Sequence, residues 1–185
     1  MSALMPLALI VALGSQPPRA TPACFPPGAP VNAFEARWFC ERLATAGKGF
    51  LDAAEGYRVL YEPAFRGTTI IEVGKERSGW LVQTTSLTFA PPGHARTIGA
   101  RHQRWLTPDE AVDLEWTAKR SGVWKPSAAM RENLVDGAVM VVEARRPGVH
   151  RVHVRVLGSL VGNQSALGEL AKLLCALGGV EDPDR

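Results

Sequence analysis

The stretch that decides the fold is Tyr57–Phe89, YRVLYEPAFRGTTIIEVGKERSGWLVQTTSLTF. Tyr57, Val59 and Tyr61 alternate with Arg58, Leu60 and Glu62, the period of two that a strand imposes on its side chains. Pro63–Gly67 supplies a turn, and the β-branched run Thr68–Val73 reads as the partner strand. Gly74–Gly79 is charged and turn-like, and Trp80–Phe89 predicts a third, longer strand with room for a bulge. Ala90-Pro91-Pro92-Gly93 breaks the pattern. Ala95–Trp105 then predicts a fourth strand, rich in arginine and polar enough to lie at an edge or face water. Short links between consecutive strands favour antiparallel pairing.

Helical signals flank this core. Asn32 is a suitable N-cap for a helix to about Thr45, with Phe34, Trp38, Phe39 and Leu43 as its apolar stripe and Gly47 and Gly49 beyond its end. Thr107-Pro108-Asp109-Glu110 combines a capping box with proline at the first helical position. A helix to about Lys119 should follow, burying Ala111, Leu114 and Trp116 and ending at Gly122. Trp124-Lys125-Pro126 starts an irregular crossing. A last helix is predicted over Ser165–Leu177, with Leu167, Leu170, Leu174 and Leu177 inward and Gly178 as the residue just past its end.

Asp136-Gly137 opens a further strand, Ala138–Arg145, whose mate is Val149–Leu157. Ala138, Met140, Val142 and Ala144 share one face. Pairing them with Val152, Val154 and Val156 requires an odd loop or a bulge around Pro147-Gly148. Glu143 would then share the other face with Arg145, Arg151, His153 and Arg155 and lie near Arg151 or His153. The expected fold class is α+β. One domain, residues 32–180, holds an antiparallel sheet of about six strands with the N-terminal, middle and C-terminal helices on one face, and residues 181–185 form a frayed tail.

Composition limits the function classes. The 185 residues are 46% hydrophobic and 21% charged, too apolar for a disordered chain. The net charge of +3 is no nucleic-acid footprint, so Arg96, Arg101, Arg104 and Lys119 with Trp105 and Trp116 are not read as one. Met1–Leu13, MSALMPLALIVAL, is uncharged and too short to span a bilayer, which takes about 20 residues. It matches the apolar core of a secretory signal peptide, here residues 1–23, although no Lys or Arg precedes it. Cleavage is expected between residues 14 and 23, followed by a Pro-rich linker over residues 24–31. Residues 1–23 carry Arg19 as their only charged side chain, so their removal takes the net charge from +3 to +2. The expected location is periplasmic or extracellular, with no transmembrane segment in the mature chain. Cys24 is placed for lipidation, but Thr21 and Pro22 are poor residues before a lipidated cysteine.

The cysteines are Cys24, Cys40 and Cys175. Without a C-x-x-C pair, zinc-ribbon and thioredoxin chemistry are excluded. One bridge can form, between Cys40 and Cys175 of two packed helices or, locally, between Cys24 and Cys40.

Tyr57–Gly178 resembles a loosely defined group of small, exported, uncharacterised bacterial proteins. The resemblance rests on YRVLYEPAF, on a capped helix ending in Gly122 and Trp124, on D-G-x-x-x-x-x-E from Asp136 to Glu143, and on the H-x-V pattern of His150 and Val152 with Arg151 and Arg155 nearby. Members often carry an aromatic residue where this chain has Val149. The resemblance implies fold and export and supplies no mechanism.

Catalytic signatures are scarce. There is no H-E-x-x-H, no G-x-S-x-G and no P-loop, and Gly47–Gly49 lacks the rest of a dinucleotide fingerprint. His150 and His153, three apart on a strand, point to opposite faces and cannot chelate together. No cofactor or metal is expected. The expected function is a non-enzymatic binding module for an envelope or extracellular component, most simply a protein, through a face holding Glu143, Arg151, His153 and Arg155. The alternatives are an enzyme using Asp136, Glu143 or His150 as acid or base, and a structural envelope protein anchored through lipidated Cys24.

Overall fold

The computed structural model describes residues 24–47, 53–63, 66–91, 94–131, 138–157 and 165–180. Residues 1–23, Asp136 and residues 181–185, on which several sequence expectations fall, lie outside the described residues. Helix α1 (Ala33–Ala46) leads into strands β1 (Gly56–Pro63), β2 (Thr68–Glu76), β3 (Gly79–Leu87) and β4 (Ile98–Trp105). Helix α2 (Pro108–Ser121), strands β5 (Ala128–Arg131), β6 (Ala138–Arg146) and β7 (Val149–Leu157), and helix α3 (Ala166–Leu177) follow. The strands form one seven-stranded sheet in the order β4-β3-β2-β1-β6-β7-β5.

The α+β class holds, and three details of the expectation are corrected. A seventh strand, β5, is only four residues long and pairs with β7 in parallel, so the sheet is mixed. Its brevity hid it in a segment that reads as an irregular crossing. The helices lie on both faces. Tyr57, Val59, Met140 and Val142 pack with Leu114 of α2 and Leu170 and Leu174 of α3. Leu60, Ile70, Val141, Val152 and Val154 pack with Phe39 and Ala46 of α1. The central strands β1 and β6 carry apolar side chains at both parities, so each face needs a cover. Finally, Pro147-Gly148 is a plain two-residue turn, because Arg146 pairs with Val149. Gly148, at φ 73°, supplies the left-handed second position that a Pro-Gly turn needs.

Local chemistry explains the helix ends. Asn32 and Glu35 form a reciprocal capping box on α1, with Glu35 N–H donating to Asn32 Oδ1 at 2.8 Å and Asn32 N–H to Glu35 Oε2 at 2.9 Å. Thr107 and Glu110 do the same for α2. Not all the predicted stripes face inward. Phe34 and Trp116 are exposed, and the Arg120 guanidinium stacks over Trp116. Gly178 is not the left-handed residue after α3; that role falls to Gly179, at φ 72°. Gly178 is needed for space, because a Cβ there would sit 2.6 Å from Ile71 Cγ1 and 2.8 Å from Thr84 Oγ1. β4 is the exposed edge strand that its arginines predict.

The disulfide joins Cys24 to Cys40, with Cα atoms 5.6 Å apart. This replaces the Cys40–Cys175 pairing. α1 and α3 cover opposite faces of the sheet, so Cys40 and Cys175, which lies buried in α3, are separated by the sheet itself. No helix among the described residues is long and apolar enough to cross a membrane.

Two measurements check this packing. Gly178→Ala should cost about 1–3 kcal/mol in urea denaturation, because the added methyl meets branched side chains that are themselves packed; an unchanged midpoint would show that the end of α3 can move aside. Glu110 is held down to about 2 by its hydrogen bonds from Arg104 and from the backbone of Thr107. A depressed carboxylate stabilises the fold above its unfolded value of about 4.3 and loses that contribution as pH falls towards 2. The stability difference between wild type and Glu110→Gln, about 1 kcal/mol at pH 7 after solvent screening, should therefore shrink as pH falls from about 5 and vanish only below about 2.

Candidate functional site

One row of side chains crosses the α1-facing side of the sheet at strand positions that the hydrophobic pattern leaves polar. Arg58 on β1 stands opposite Glu72 on β2 and Glu143 on β6, and Glu72 stands opposite Gln83 on β3. Arg58 Nε donates to Glu72 Oε1 at 2.8 Å and Nη1 to Glu143 Oε2 at 3.0 Å. The Glu72 and Glu143 side chains are only 5% and 2% exposed. Two buried carboxylates thus share one guanidinium, and Gln83 Nε2 adds a longer contact to Glu72 at 3.4 Å. Burial of this kind is tolerable only because the charges are paired.

A cavity of about 720 Å³ opens beside this row, at the turn end of the β6–β7 hairpin. Arg58, Arg145, Arg146, His150 and Arg151 contribute to its lining, together with Gly148 and Val149. Cys24, Phe25 and Pro26 form the opposite wall. That wall is held by the Cys24–Cys40 bridge and by Phe25 meeting Phe39 edge-on, with centroids 5.6 Å apart. No Asp or Glu is among the described lining residues. His150 Nε2 is sequestered from solvent without a hydrogen-bond partner, and lies 3.8 Å from Glu143 Oε2, beyond hydrogen-bond reach.

The register separates the residues that the sequence groups together. Glu143 pairs with Val152, and Val142 pairs with His153. Glu143 therefore shares its face with Arg58, Arg145 and His150, whereas Arg151, His153 and Arg155 belong to the other face. The two-residue turn is the cause, since an even loop reverses the parity that an odd one would give. His153 is buried in the helical layer, with its Nε2 3.0 Å from Val123 O. Burial pushes its imidazole below the ordinary histidine value, and the Val123 hydrogen bond opposes that shift. His153 is thus a core side chain, not part of an exposed binding face. Arg151 Nε donates to Trp124 O at 3.4 Å, and Arg155 stands opposite Met140 and Met130. His150 and His153 do point to opposite faces.

The residue missed from sequence is Arg58. Its place in an alternating strand marks it as outward, and only the length of the opposing polar row, visible once Glu72 and Glu143 are registered beside it, shows otherwise. The sequence marks Trp124 only as the end of a capped helix and the start of an irregular crossing. It packs against Tyr57, whose hydroxyl burial pushes up to about 12, and carries the Arg146 guanidinium 4.5 Å above its ring. Basic residues in and just before β4 are tied internally. Arg104 forms a fork with Glu110, Arg101 donates to Ala46 O, and Arg96 donates to Glu62 Oε1 at 2.9 Å. No protein-family model matches the chain, and no curated protein matches it significantly.

Arg58→Met should cost about 3–5 kcal/mol in chemical denaturation, because it strands two buried carboxylates without their cation. Adding Glu72→Gln and Glu143→Gln to that variant should recover much of the loss. A cost below about 1 kcal/mol for Arg58→Met alone would show that water reaches the row.

Proposed function

We propose that this protein is an exported, non-catalytic binding module for an envelope or extracellular component, and that it binds at the cavity beside Arg58. The observation that carries the reading is the construction of that cavity. Its walls come from three separate parts of the chain, and one of them, Cys24–Pro26, is fixed by a covalent bridge. The charged row beneath is locked in ion pairs, which suits a rigid recognition surface better than a proton-transfer site.

Export is supported by three features: the apolar run Met1–Leu13, the resemblance of Tyr57–Gly178 to small exported proteins, and a disulfide, which persists in oxidising compartments. A lipid anchor on Cys24 needs the same Sγ that the bridge uses, which favours a secreted or periplasmic chain over an anchored one. The enzyme alternative uses Asp136, Glu143 or His150 as acid or base, and Asp136 lies outside the described residues. Glu143 is committed to Arg58, and Cys24, the one sulfur in the lining, is oxidised.

The test uses protein isolated from its native envelope. Its intact mass should correspond to cleavage between residues 14 and 23 and should gain two hydrogens on reduction. Charge reversal by Arg145→Glu or Arg146→Glu should abolish co-purification of envelope components while thermal melting stays near wild type. A full-length mass with three titratable thiols overturns export, and co-purification unaffected by either reversal overturns the binding face.

A further inference from the structure

We infer that two copies of this chain pair through β4, antiparallel and about a two-fold axis at His102, joining their sheets edge to edge. β4 ends the sheet order, so one of its sides has no neighbouring strand among the described residues. It is eight residues long and exposed at every position except the half-buried Ala100. Leu106 N–H donates to Trp80 O at 2.8 Å, and an antiparallel ladder alternates, so His102 and Arg104 turn their backbone groups towards β3. Arg101, Gln103 and Trp105 turn theirs outward. A row of outward N–H and C=O groups is a template for another strand.

The devices that normally blunt such an edge are spent or absent. β4 contains no proline, lysine or acidic residue. Both of its arginines fold back into their own subunit. Arg101 donates to Thr85 Oγ1 at 3.3 Å and to Ala46 O of α1. Arg104 forks onto Glu110 and donates to Leu177 O at 3.0 Å, with a longer contact to Trp105 O at 3.3 Å. The bulge beside Gly99 lies at the start of the strand and leaves the run from Ala100 onward regular. The other edge strand, β5, is only four residues long and is protected by its brevity.

The sequence of β4 fits its own copy in one register. Outward residues pair with outward residues, so an axis at Arg101 or Arg104 would set an arginine against itself. An axis at Gln103 would run Gly99 into Thr107, the N-cap of α2, and an axis at Trp105 would leave half the strand unpaired. An axis at His102 pairs residues 99–105 along their whole length. Arg101 then stands opposite Gln103 of the second copy, Arg104 opposite Ala100, and Trp105 opposite Gly99. No permanent charge meets a like charge, because His102 carries an imidazole. Trp105 is 49% exposed and lies on the α1 side, the side to which Arg101 reaches. In the pair its indole lies over a glycine that has no side chain of its own, a cross-strand arrangement that stabilises edge glycines. A foreign acidic strand is the poorer fit, since both arginines are already engaged. The β4 edge and the cavity beside Arg58 belong to different parts of the sheet, so this inference and the binding reading stand or fall separately.

Sedimentation velocity on the oxidised protein, from micromolar to millimolar concentration, should show a monomer–dimer equilibrium. Gln103→Pro removes an outward N–H from each copy, two hydrogen bonds per dimer, and should raise the dimer Kd by about tenfold or more. The same N–H takes no part in pairing with β3, so the monomer tolerates the change. Gln103→Lys, an ordinary edge guard, should weaken the dimer without altering the melting temperature, which keeps the test independent of any proline strain. His102→Cys should form a disulfide-linked homodimer on mild oxidation, because a non-hydrogen-bonded pair brings its Cα atoms to about 4.5 Å, within reach of a bridge. Arg37→Cys, on the exposed side of α1, should remain unlinked under the same conditions. A protein that stays monomeric throughout the range overturns the inference. So does a dimer indifferent to both Gln103 variants, which places the interface elsewhere. Monomeric protein whose β4 amides gain hydrogen-exchange protection only on addition of an envelope extract also overturns it, in favour of a foreign strand at this edge.

Discussion

The architecture depends on one guanidinium at the seam of the sheet. β1 is where the four-stranded meander meets the β6–β7 hairpin, and Arg58 reaches across both junctions, to Glu72 on one side and Glu143 on the other. Apolar pairing alone specifies this seam weakly, since Leu60, Val141 and Ile70 would tolerate neighbouring registers. A slip by one residue would leave a buried carboxylate facing an aliphatic neighbour, at a cost of several kcal/mol. The ion row thus fixes the register with a penalty that hydrophobic packing cannot supply, in the way that a single buried polar group sets the register of a coiled coil.

The opposite end of the same face uses the reverse stoichiometry. There a single carboxylate, Glu62, accepts from Arg42 Nε at 2.7 Å, from Arg96 Nη2 at 2.9 Å and from the Thr68 hydroxyl. Arg42 is itself sandwiched by Trp38, whose ring lies 3.8 Å away and whose carbonyl accepts from Arg42 Nη1. α1 supplies Arg42, so this end is closed by a helix. At the Arg58 end the cover is an extended segment held by the Cys24–Cys40 bridge. A helix buries its own backbone polar groups and seals what it lies on, whereas an extended segment leaves space beside it. The difference in cover explains why one polar cluster is closed and the other borders a cavity.

The legible parts of the sequence were those governed by local chemistry. The Thr107–Glu110 box, the Asn32 cap, the strands β1, β2 and β4, and the hairpin of β6 and β7 follow from propensity and capping within a few residues. The candidate site was not legible because it depends on parity summed through a turn. Pro147-Gly148 admits a two-residue turn or a longer bulged one, and the choice moves Glu143 from the company of Arg151 and His153 to that of Arg58, eighty-five residues away in sequence. The split of the helices between two faces was hidden for a related reason. VMVV in β6 is apolar at both parities, and a run of that kind says that both faces are covered without saying by which helix.

Trp124 shows how the two layers of the molecule bear on the same site. It belongs to the helical side, where it packs on Tyr57 and joins the core of α2 and α3. Its ring and carbonyl nevertheless hold Arg146 and Arg151 at the hairpin, around the strand edge from Arg58. The rim of the cavity is therefore positioned from one face of the sheet and its floor from the other. Loosening the helical layer would free the rim arginines while leaving the Arg58 row intact, so the shape of the cavity is sensitive to packing on the far face of the sheet.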